Sequence, residues 1–321
     1  MHDALETLRR GGKPALARAL AQLEIRRGAD DTAALLDAAF AAPRGVSIGL
    51  TGPPGVGKST LVNALIAEMR RRGLSVGVVA VDPSSSRTGG ALLGDRARLS
   101  GLDPADEGVF VRSMATRGQL GGIAALAYPA MVLMQAVFDV VLVETVGVGQ
   151  SEMAIAGLTD ALALCIQPAS GDSLQFMKAG IMEVPDLAIV TKADLGAPAR
   201  RAATDLRGAL GAGRDSASPL RVLLVSAQSG EGIDTALDAM LHCTKARGDP
   251  SGRAGQAARW MRAAILSDFG TVGADTAKPL LQDVSTDRPF RAYRALETRL
   301  RCALAGLDFS ELLGQLRVRG R

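Results

Sequence analysis

The sequence predicts an α/β fold with a mainly parallel central sheet, helices on its faces and helical extensions at both ends. Short apolar runs alternate with helix-period stretches from residue 46 to residue 226, the pattern of a parallel sheet. A glycine-rich loop joins the first apolar run to a helix. Outside this alternation the apolar residues fall only at helical spacing.

In chain order, Leu5, Leu8, Leu16, Leu20 and Leu23 recur at helical intervals through residues 3–27, and a second helix is expected over Thr32–Ala41. Pro43–Gly45 breaks the chain into the first strand. Strands are expected at Val46–Leu50, Ser75–Val81, Val109–Val111, Val140–Glu144, Ala161–Gln167, Leu187–Thr191 and Val222–Ser226. Helices are expected between them, as at Gly121–Val137 and Ala199–Leu210. "RGDPSGRAG" (Arg247–Gly255) reads as a Gly/Pro-rich joint, with amphipathic helices beyond it. The expected division is a helical extension over 1–42, a P-loop nucleotide domain over 43–247 and a helical region over 248–321.

The first strand runs into "GLTGPPGVGKSTLVNAL" (Gly49–Leu65). Gly52, Gly57, Lys58 and Ser59 give G-x-x-x-x-G-K-S, the phosphate-binding loop. Its glycines let backbone N–H groups curl around phosphate oxygens, and the helix that follows points its positive end at them. Gly52, Pro53, Pro54, Gly55, Val56, Gly57, Lys58, Ser59 and Thr60 are therefore expected to bind nucleotide. Lys58 reaches the β/γ-phosphates, and Ser59 offers a hydroxyl to Mg²⁺.

A phosphate loop alone suits an ATPase, a kinase or a GTPase, and base choice is written elsewhere. "TKAD" (Thr191, Lys192, Ala193, Asp194) resembles the guanine motif N-K-x-D, with Thr for Asn. An aspartate there accepts from guanine N1–H and the exocyclic amine, a pattern that adenine does not offer, and the lysine stem lies over the base. The threonine puts the asparagine's bracing role in question. Ser226, Ala227 and Gln228 follow a later strand, where a Ser-Ala turn aims a backbone N–H at guanine O6.

"VVLVETVGVGQSE" ends a buried strand on Glu144, where parallel sheets place ligand chemistry. Glu144-x-x-Gly147 takes the place of the Walker B carboxylate and the γ-phosphate-sensing glycine. Asp82 ends the second strand, and Asp95 follows a Ser/Gly-rich loop. The expected Mg²⁺ set is Ser59, Asp82, Asp95 and Glu144, directly or through water. Arg87 is a further candidate for phosphate. No Gln directly follows Gly147; Gln150 is the nearest, so slow intrinsic hydrolysis is expected.

Composition excludes several classes. Of 321 residues, 47% are hydrophobic and 22% charged, as in a globular chain. The net charge of +4 is scattered, and aromatics are only 3%, so a base-stacking nucleic-acid surface is not expected. Three separated cysteines and two histidines form no metal or disulfide spacing, and Cys165 reads as a core residue. No signal peptide or membrane-length apolar run is visible, so a cytoplasmic protein without membrane contact is expected.

The phosphate loop, "VAVDPSSSRTGGALLGDRARL", "VRSMATRGQLGG" and "VLVETVGVGQSE" together resemble the MeaB/ArgK family of methylmalonyl-CoA mutase-associated GTPases, relatives of metallochaperone GTPases. The resemblance spans nearly the whole chain. It implies a GTP-hydrolysing chaperone that gates adenosylcobalamin delivery from an adenosyltransferase to an acyl-CoA mutase and protects or reactivates that mutase. It also implies a homodimer joined largely through C-terminal helices. Within "QPASGDSLQFMK" (Gln167–Lys178), it makes Asp172 and Lys178 candidates for a switch that reports nucleotide state to the mutase. Arg112 and Arg117 are open between phosphate and partner. Three alternatives remain: a nickel-type metallochaperone, a small-molecule kinase of the older arginine/ornithine transport label, and a signal-recognition-type targeting GTPase.

Overall fold

In a computed structural model of the chain, the described residues are 2–25, 29–82, 103, 105–115, 122–145, 155, 157–168, 185–211, 220–247, 250–283 and 286–306. Seven strands form one sheet: β1 (Val46–Thr51), β2 (Val76–Asp82), β3 (Val109–Ala115), β4 (Val140–Glu144), β5 (Ala161–Ile166), β6 (Leu187–Val190) and β7 (Arg221–Leu224). Their order is β3-β2-β4-β1-β5-β6-β7, and every pairing is parallel. β1 is central, with Leu50 opposite Glu144 on one side and Thr51 opposite Leu164 on the other. All seven C-terminal ends therefore share one edge, and β1 delivers its loop to the middle of it. β4 and β5 are buried along their whole length because both faces of the sheet are covered.

One face is covered by α4 (Lys58–Arg71) and α7 (Ile233–Arg247), whose apolar residues pack with Ile48, Leu50 and Val78. Leu61, Leu65 and Met69 of α4 are fully buried, each contributing roughly 2 kcal/mol through the apolar area it removes from water. α6 (Ala197–Gly211) packs Ala199, Ala203 and Leu206 against Val190 and Val222.

The other face carries α5 (Gly122–Gln135), apolar on all sides as a core helix must be. α1 (His2–Arg10), α2 (Gly12–Ile25), α3 (Asp30–Ala41), α8 (Pro250–Ala277) and α9 (Pro289–Leu304) pack into the same core. The helices from both ends of the chain thus share one apolar interior with the sheet. Trp260 lies 4.7 Å from Phe290, 5.2 Å from Tyr293 and 5.6 Å from Tyr128 between ring centroids, which ties α5, α8 and α9 together. A second tie is polar. The buried Asp160 carboxylate accepts from Ser47 N at 2.7 Å, Ser47 Oγ at 2.9 Å, Gln135 Nε2 at 2.9 Å and Gln256 Nε2 at 2.8 Å. No helix among the described residues is long and apolar enough to cross a membrane.

Three expectations need correction. The helical run of residues 3–27 is two helices, divided at Gly11, with Gly12 in the left-handed region at φ 54°. β3 extends to Ala115 rather than stopping at Val111, because it pairs residue by residue with β2 as far as Asp82. The joint at Arg247–Gly255 is helical from Pro250 onward, since proline at a first helical position loses no hydrogen bond.

Candidate nucleotide site

The site is built where β1 meets α4. After Thr51 the chain must turn sharply across the end of β5, and a Cβ on Gly52 would lie 2.0 Å from the Cys165 carbonyl oxygen. Gly52 has φ 138° and Gly57 φ 95°, so the turn needs glycine at both positions. Gly57 caps α4 and leaves the first amides of that helix facing the loop.

Lys58 is buried, and its Nζ donates to Gly52 O at 2.6 Å and Pro53 O at 2.9 Å. The ammonium therefore sits inside the curve of the loop. Ser59 Oγ donates to Glu144 Oε1 at 2.6 Å. Glu144 is 8% exposed and ends β4 beside β1. Serine and carboxylate oxygens are hard donors, so this pair fits Mg²⁺. Cys165 lies behind them as a core residue; burial pushes its thiol up to about 12, which leaves it inert.

The residues expected to face the base follow β6 and β7. Thr191 Oγ1 lies 2.7 Å from Val56 O and 3.0 Å from Ile166 O, within donating distance of both. Lys192 adopts φ 56° and ψ 45°, the single positive-φ residue other than glycine among those described. Its Nζ donates to Gln167 Oε1 at 2.5 Å and lies 3.4 Å from Gly55 O. Ser226 Oγ donates to Asp194 Oδ1 at 2.5 Å and accepts from Ser229 N at 3.2 Å. The Thr191 hydroxyl thus contacts the phosphate loop and the end of β5 from the position that asparagine holds in the motif.

These elements enclose a cavity of about 370 Å³ lined by Val56, Gly57, Thr60, Leu61, Thr191, Lys192, Asp194, Leu195, Val225, Ala227 and Gln228. A volume of that size takes a purine nucleoside. The lining joins the phosphate loop to both base motifs. Three lining residues, Leu61, Leu195 and Val225, carry no polar signal in the sequence. Gln167 was legible there as a strand end and as the first residue of the Gln167–Lys178 segment, not as a partner of Lys192.

Asp82 ends β2 at the same sheet edge. Its side chain, and Arg87, Asp95, Arg117, Gly147, Gln150, Asp172 and Lys178, lie outside the described residues. Arg112 is placed in β3, where it pairs with Glu24 of α2 at 2.6 Å. That guanidinium is engaged by the helical extension.

A model of the family described as methylmalonyl-CoA mutase-associated GTPase MeaB matches residues 16–271. The chain belongs to the MeaB family. A putative GTPase of Caulobacter vibrioides is 40% identical over 302 residues, covering 88% of this chain and 91% of that protein. A putative GTPase of Pyrococcus horikoshii is 54% identical over 148 residues, 46% of either chain. The MeaB-family chain here therefore spans less than half the length of that archaeal relative. A crystal structure of a LAO/AO transport system kinase superposes with a TM-score of 0.61 at 29% identity, over 98% of this chain and 95% of that one. The fold of this MeaB-family member is the P-loop NTPase fold, a parallel sheet with flanking helices.

Proposed function

We propose that this chain binds GTP and hydrolyses it to GDP and phosphate in a Mg²⁺-dependent reaction, and that the nucleotide cycle serves a cobalamin-dependent acyl-CoA mutase. The observation that carries the first half is a cavity lined both by phosphate-loop residues and by Asp194 and Ala227. Asp194 accepts from the guanine edge while Ser226 holds its carboxylate in place. Lys58 and the loop amides neutralise the phosphates. Ser59 and Glu144 hold Mg²⁺, with Asp82 and Asp95 as further oxygen ligands. The metal supplies charge neutralisation on the transferring phosphoryl group. Gly147 senses the γ-phosphate, and Gln150 is the candidate to position water. With no glutamine directly after Gly147, intrinsic turnover is slow and a partner accelerates it.

The second half rests on family membership. The chain acts as a chaperone that gates adenosylcobalamin delivery from an adenosyltransferase and protects or reactivates the mutase, methylmalonyl-CoA mutase being the first candidate. Asp172 and Lys178 report nucleotide state to that partner, and the working unit is a homodimer. Turnover of GTP by the purified chain, alone and with the mutase, tests both halves. Stimulation by the mutase is the expected result, and indifference to every such mutase removes the second half.

A further inference from the structure

Lys192 poses a physical problem. It lines a nucleoside-sized cavity, yet the residue is exposed and sits on a left-handed backbone. A free lysine side chain loses rotamer freedom when it is fixed, and a left-handed backbone is a further cost for any residue with a Cβ. Unless something fixes the side chain beforehand, the arriving base bears the rotamer cost.

Two acceptors reach the ammonium. Gly55 O lies 3.4 Å away, a weak contact. Gln167 Oε1 lies 2.5 Å away, and its donor is charged. Gln167 directly follows Ile166, the last residue of β5, so its backbone is anchored to the sheet. The same stretch is held from the other side, where Thr191 N donates to Ile166 O at 2.8 Å. The amide oxygen therefore stands on a rigid base.

We propose that Gln167 is a positioning residue of the guanine site, holding Lys192 across the cavity before the base arrives. This rests on the guanine reading of the pocket. It adds a residue that directly follows a third strand to the two motifs expected to face the base. Gln167 does not line the cavity, so it acts on the base through Lys192, and that sets the test.

The test is a double-mutant cycle on nucleotide release. GDP dissociation is measured with a fluorescent GDP analogue from wild type, Gln167→Ala, Lys192→Ala and the double variant of the full chain, with an ADP analogue as control. Q167A is expected to release GDP about fivefold faster, and the double variant no faster than K192A, because the two residues act as one unit. Gln167→Glu, which keeps an acceptor oxygen, is expected to stay within about twofold of wild type. A double variant that shows the product of the two single effects overturns the proposal, as does Q167A releasing GDP at the wild-type rate. Wild type that holds ADP as long as GDP overturns the guanine reading itself, and this inference with it.

Discussion

Ser59 and Glu144 stand 85 residues apart in sequence and share a hydrogen bond of 2.6 Å. It joins the first residue after the loop lysine to the carboxylate that ends the neighbouring strand. Parallel pairing of β1 with β4, Leu50 opposite Glu144, makes the contact possible. If these oxygens hold Mg²⁺, Ser59→Ala and Glu144→Gln each lower Mg²⁺ affinity on the order of tenfold to a hundredfold. Single-turnover hydrolysis titrated with Mg²⁺ checks this. Unchanged half-saturation in both variants rules the pair out as the metal site.

Asp194 is the second prediction. Its carboxylate offers two acceptors, one already fixed by Ser226. Asp194→Asn turns an acceptor into a donor and leaves guanine N–H groups unsatisfied. GDP affinity falls on the order of a hundredfold or more, and xanthosine diphosphate, with oxygen in place of the exocyclic amine, gains. Competition binding with the two diphosphates reads the reversal.

Thr191 is the third. Thr191→Val keeps the shape and removes the hydroxyl that reaches Val56 O and Ile166 O. Stability falls by about 1–2 kcal/mol as a buried carbonyl loses its donor. GDP affinity falls too, because the phosphate loop loses its tie to the base motif. Thr191→Asn restores a donor and recovers most of the loss. Urea unfolding and GDP titration of the two variants decide it.

Asp160 gives a fourth prediction, at the opposite end of the sheet. Its four hydrogen bonds are buried and link β1, α5 and α8. Asp160→Ala strands two glutamine amides and a serine, which costs about 3 kcal/mol or more. Nucleotide affinity of the folded variant is unchanged, since the cavity lies at the other edge. A urea midpoint equal to wild type contradicts this role.

Much of this was legible in the residues. Each of the seven strands was marked by an apolar run, and the phosphate loop by glycine spacing, because buried parallel strands and tight turns restrict residue type strongly. Strand ends were less legible, since pairing partners set them: β3 runs to Ala115 because β2 is there to receive it. The helical ends of the chain read as extensions, yet Leu16, Trp260 and Phe290 meet in one core, a fact of tertiary packing that helical period cannot carry. At the site, charged and glycine positions announced themselves. Leu195 and Val225 did not, because apolar pocket walls look like any core.

The central claim is that the pocket selects guanine. Steady-state turnover of GTP and ATP by the purified chain, with Mg²⁺ at matched nucleotide concentrations, tests it most directly. The account predicts GTP turnover with ATP turnover near background. ATP turnover equal to or above that of GTP contradicts the role given to Asp194 and returns the site to the kinase reading.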